Sequence, residues 1–132
     1  MAVASALREN AVTLLATSAK IDAKSVAKTT LYTVPTGKSL VVDHVNIRVA
    51  DYTAGGKDTQ AKASFGGNDA NYDDYLKGVT YTVAAVSKVL SDSTMDAFVP
   101  VYAAGSNFKI SIETGSNATT ENWIVDVFGY LV

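Results

Sequence analysis

The chain has no cysteine, one histidine, two prolines, one tryptophan and only three glutamates among its 132 residues. Without cysteine there is no disulfide scaffold, no thiolate zinc site and no thiol nucleophile. A lone histidine adds too little for a zinc or copper site, so no metal centre or cofactor is expected. No apolar run approaches the ~18 residues of a membrane helix. Met1 to Ala6 lacks the basic stretch and long apolar core of a signal peptide, so no membrane partner is expected. Charge is also scarce, at 18% of residues, with 11 Lys+Arg against 13 Asp+Glu for a net −2. Two arginines on such a chain give little with which to neutralise phosphates, so nucleic acid is not an expected partner. A charge-poor surface on a chain that is 48% apolar instead points to cover by other subunits.

What is abundant favours pleated backbone. There are 17 valines and 14 threonines against 8 leucines, and 10 aspartates against 3 glutamates. β-branched residues pack well in strands, and Asp serves turns and caps where Glu serves helices. Asn107 to Glu113 alternates cleanly, with Phe108, Ile110 and Ile112 on one parity. Thr29 to Val34 and Ser39 to Val49 flank Pro35-Thr36-Gly37-Lys38, which reads as a turn. In the second of these, Val41, Val45, Ile47 and Val49 are expected to share one face, with Leu40 and Val42 opening the other. Lys62 to Phe65, Val79 to Val89 and Ala97 to Tyr102 are further candidates, Pro100 confining the last to an edge. The expected fold is all-β: a single β-sandwich, jelly-roll-like, of seven or eight short antiparallel strands over residues 21–132.

The two ends differ from this pattern. Trp123 to Val132 is apolar on both parities, Asp126 excepted, so it is expected to be buried on both sides. A 132-residue sandwich has two layers, which leaves a neighbouring subunit as the second cover. Residues 1–20 read as an amino-terminal arm or an edge strand. Leu7, Ala11, Leu14 and Leu15 would line a helix, while Val12 to Ala19 could equally be strand. Leu7, Leu14, Leu15, Ile124, Phe128 and Tyr130 are therefore the candidate subunit contacts.

Catalytic chemistry is hard to find. His44 follows Asp43, but adjacent strand residues point to opposite faces, so Asp43 is not expected to orient it. No phosphate loop, nucleophile elbow or H-E-x-x-H helix is present. Glu9, Glu113 and Glu121 read as arm, solvent face and turn, so no catalytic residues are assigned and no enzyme is expected. Asp69, Asn71 and Asp73 match the first three ligand positions of an EF-hand loop. Asp74 replaces the required Gly and Thr80 the bidentate Glu, which leaves a polar surface loop, with an irregular calcium site as the alternative. Tyr52, Tyr72 and Tyr75 lie in loop-rich sequence and could stack on a glycan.

Thr30-Leu31-Tyr32-Thr33-Val34-Pro35-Thr36-Gly37-Lys38 with the Val-rich strand after it resembles small β-sandwich structural proteins of tailed-bacteriophage virions, which open on an LYTVPxGK motif. Ala104-Gly105-Ser106-Asn107 to Ile112 and Val125 to Leu131 resemble their later strands, while the polar stretch Asp51 to Asp74 departs from the pattern. The resemblance implies a non-enzymatic virion component made in the host cytoplasm, above all a capsid decoration or cement protein. Neck, head-fibre or tail component and carbohydrate-binding tip module are the alternatives. It also implies a homo-oligomer, by analogy a trimer, in contact with partners such as the major capsid protein.

Overall fold

A computed structural model describes residues 11–56, 58–94 and 99–132. Ten strands occur among them and no helix: β1 Thr13–Thr17, β2 Ile21–Asp22, β3 Ala27–Thr33, β4 Leu40–Thr53, β5 Ala61–Gly66, β6 Leu76–Tyr81, β7 Val89–Asp92, β8 Val101–Tyr102, β9 Asn107–Thr114 and β10 Thr120–Leu131. They form two antiparallel sheets packed face to face. One has the order β1-β10-β4-β7, with β2 also on β10 and β8 also on β4; the other runs β3-β9-β5-β6. The sandwich expectation holds, though β4 has 14 residues and β10 has 12, so the strands are not all short. Among the described residues no helix is long and apolar enough to cross a membrane.

The alternating strand is β9, with Phe108, Ile110 and Ile112 in the core. Its ring stacks near Tyr75 and Tyr102 at 5.6 and 5.5 Å between centroids and near Phe65 at 6.3 Å. Across the sandwich, Trp123 of β10 meets Tyr81 of β6 edge to face at 5.8 Å, so large rings from both sheets fill the interior. The turn read at Pro35 to Lys38 is present: Lys38 N–H donates to Pro35 O at 3.2 Å and Gly37 supplies φ +77°. Val79 to Val89 is not one strand. Its ends belong to β6 and β7, in different sheets, joined through a reversal in which Ser87 takes φ +61°.

Strand β4 departs most from simple alternation, because two extra residues flip its parity. Asp43 stands between the pairs His44–Phe128 and Val42–Gly129, and Ala50 between Val49–Trp123 and Asp51–Asn122. Leu40 and Val42 consequently join Val45, Ile47 and Val49 in the core, and Val41 turns outward, the reverse of the expected faces. The displaced carbonyl of Asp43 accepts a hydrogen bond from the Tyr75 hydroxyl at 2.8 Å. Tyr75 is thus a core residue at 2% exposure. Glu121 is a second departure: it shares the inward parity of Trp123 and is 1% exposed. The Trp123 indole N–H and the Ser116 hydroxyl both donate to it at 3.0 Å, so its carboxylate is anchored inside the sandwich, not in an open turn.

Candidate functional site

The two outer faces of the sandwich have opposite chemistry. On the β3-β9-β5 side, Lys28, Lys109 and Lys62 point out, and Ser64 of β5 pairs with Ser111 of β9, both buried. Ser64 donates to Glu113 at 2.5 Å and accepts from Gly78 N–H at 2.8 Å, so the polar groups of this face are hydrogen-bonded within the chain. On the β1-β10-β4-β7 side the outward residues fall into rows fixed by cross-strand register. One row is Tyr130, Val41 and Val101; the next is Leu14, Phe128 and His44; a further one is Ile124, Arg48 and Val89. Leu14, Val89 and Val101 are more than half exposed, at 53, 58 and 53%. Residues directly opposite in antiparallel strands share a face within van der Waals reach, so Tyr130, Val41 and Val101 form one apolar band and Leu14 and Phe128 a second that ends on the His44 ring, while Arg48 parts Ile124 from Val89.

A polar row lies between the second band and the row of Ile124, with Thr17, Asp126, Asn46 and Ser91 in register. Arg48 reaches diagonally to Asp126 through Nε at 2.8 Å and Nη2 at 3.0 Å, a two-pronged fork. Thr17 Oγ1 donates to the same carboxylate at 2.8 Å, which ties the edge strand β1 to β10. Partial burial pushes the Asp126 carboxyl up, but the hydrogen bonds from Arg48 and Thr17 and the Arg48 charge outweigh it and hold it below the usual carboxylate range. A depressed carboxyl stabilises the fold above its unfolded value, near 4, and loses that contribution as pH falls through the folded value. Asp126→Asn should therefore lower stability by about 1 kcal/mol at pH 7. In urea titrations across pH that difference should shrink below about pH 4; an unchanged difference there would contradict the assignment.

His44 is better organised than its sequence position suggests. The Asp43 bulge swings the two neighbours onto one side, and His44 Nδ1 lies 2.7 Å from Asp43 Oδ2. The expectation that Asp43 cannot orient it is thus overturned, because alternation fails at a bulge. The imidazole stacks on Phe128 at 4.5 Å between centroids with 7° between planes, extending the apolar row across β4. The Asp43 contact holds this flat ring over Phe128.

The sequence candidates divide accordingly. Leu14, Ile124, Phe128 and Tyr130 come together on the outer face of the first sheet, each only partly covered within the chain. β10 is therefore buried on one side and half-exposed on the other. Leu15 does not join them: residues 13–17 are strand and not helix, and Leu15 packs against the core. Leu7 lies outside the described residues. Val41, Val89, Val101 and Thr17 belong to the face without having been singled out, since only register brings them together.

The polar loop between β5 and β6 holds Asp69, Asn71 and Asp73. Asp73 N–H donates to Asp69 Oδ1 at 3.1 Å. Slight burial pushes Asp69 up, but hydrogen bonds from Asp73 and from nearby backbone hold it low; Asp73 is raised, first by its bond to Asp69, then by burial and that neighbour's charge. Among the described residues no three His, Cys, Asp or Glu side chains group as a metal site. Tyr72, at φ +53°, lies under Lys109 and Lys28, whose Nζ atoms are 4.6 and 5.7 Å from its ring centroid. Of the three tyrosines singled out, Tyr75 is in the core, Tyr52 lies on β4 packed against it, and Tyr72 is covered by lysines.

No protein-family model matches the chain, and no curated protein matches its sequence. The fold does have a counterpart. It is similar to a chain of the acidic stable capsid structure of Helicobacter pylori bacteriophage KHP30, with a TM-score of 0.53, over 93% of this chain and 96% of that one. At 7% identity the likeness is one of fold.

Proposed function

We propose that the chain is a non-enzymatic structural component of a tailed-bacteriophage virion, in the first place a capsid decoration or cement protein. The observation that carries this reading is the two-faced sandwich. One outer face is lysine-bearing and hydrogen-bonded; the other presents apolar bands beside an internally neutralised ion pair. A subunit bound to a particle needs both: a face to cover and a face to wet. The fold likeness to a chain from a phage capsid structure supports the same reading. Self-association and contact with the major capsid protein follow from it, as do a virion location and synthesis in the host.

The test is quantitative protein analysis of purified particles from the phage that encodes the chain. A decoration protein should sediment with heads in a copy number comparable to the major capsid protein. A few copies travelling with necks or tails would move it to those structures. Absence from particles whose producing cells express the chain would overturn the virion reading.

A further inference from the structure

We infer that the outer face of the β1-β10-β4-β7 sheet is the contact between two copies of this chain, packed sheet on sheet; the inference rests on the virion reading and names the surface it uses. Size is the first argument. The strands of this sheet have 5, 2, 12, 14, 4 and 2 residues; at about 3.4 Å rise and about 4.8 Å spacing they present about 640 Å², within the lower part of the roughly 600–1,000 Å² per partner of a standard specific interface. Charge is the second. Arg48 is met by Asp126 and Lys20 by Asp51 within the chain, so these ion pairs ask nothing of the opposing face. A partner recognised by charge would have to compete with these internal pairs, whereas an identical face offers apolar rows to match its own. Geometry is the third. Face-to-face packing of aligned sheets interdigitates rows of side chains across about 10 Å, and the row Leu14–Phe128–His44 supplies such a ridge. In an isologous contact each row is used twice, which gives a partly buried Phe128 the full desolvation typical of an anchor.

The test is light scattering on the whole chain, with sedimentation onto particles that lack it as the second measurement. The expected species has twice the 13.9 kDa chain mass. Phe128→Asp should weaken it by about 100-fold, with far-UV circular dichroism confirming the fold. Leu14→Lys, at a 53% exposed position that any folded chain tolerates, should weaken it in the same direction. Lys109→Glu on the opposite sheet should not. An association insensitive to Phe128→Asp and Leu14→Lys would overturn the inference. So would a monomer at submillimolar concentration; if that monomer sediments with particles, the virion reading stands and only the choice of partner fails. A Phe128-dependent dimer that never associates with particles would uphold this contact and sink the virion reading instead.

Discussion

Raising the pH from about 10 to about 12 should unfold this protein, because three of its seven tyrosines are neutral donors locked in the interior. Tyr75 donates to the bulge carbonyl of Asp43, Tyr81 to Asp92 at 3.1 Å and Tyr102 to Asp74 at 3.0 Å. Burial, with nearby carboxylates, raises the Tyr75 phenol to about 12 and raises Tyr81 and Tyr102 further still. In the unfolded chain each phenol titrates near 10, so above that pH the unfolded state sheds protons that the folded state keeps. A raised value stabilises fully below the unfolded pKa and is lost as pH climbs towards the folded one. Three groups acting together remove about 4 kcal/mol per pH unit. Two units of that slope match the about 5–15 kcal/mol that holds a domain folded. Tyrosinate absorbance should rise by three groups in step with loss of far-UV strand signal. Retained strand signal through pH 12 while all three titrate would contradict it.

Gly129→Ala should lower stability by about 3 kcal/mol or more, a large share of the whole for one methyl group. A Cβ at residue 129 would stand 2.2 Å from the Val41 carbonyl oxygen and 3.1 Å from Val42 Cα. Those atoms are backbone of the paired strand, so relief requires prising β10 from β4 where the Asp43 bulge sits. The His44–Phe128 stack is built on the same bulge and should loosen with it. Gly56→Ala is the control: its nearest neighbour is the flexible Asn117 side chain at 3.6 Å, and urea midpoints should barely move. Equal effects of the two substitutions would show that the close approach is not what selects glycine at 129.

Strand β9 was legible because Phe108, Ile110 and Ile112 alternate with polar residues and nothing interrupts the period. β10 was legible in kind: its doubly apolar run reflects a core face and an outer face that the chain only half covers. The parity of β4 was not, since a bulge leaves no local mark at Asp43 itself. The mark is Gly129 on the facing strand, a glycine inside an apolar run, which signals close backbone approach only once the pairing is known. Glu121 and Tyr75 were misplaced for one reason. Polar atoms argue for solvent in a sequence, and it takes Trp123, Ser116 or a bulge carbonyl in three dimensions to satisfy them inside. The outer face is hardest to read for a further reason: Val41 and Val101 join the row of Tyr130, and Val89 the row of Ile124, only through long-range register.

The most direct test is a density map of the particle that carries this chain, resolved well enough to orient the two sheets. The expected view has many copies in which Phe128 and Tyr130 are occluded by protein and Lys62 and Lys109 face the medium. Copies seated through the lysine-bearing sheet, with Phe128 open to water, would contradict it.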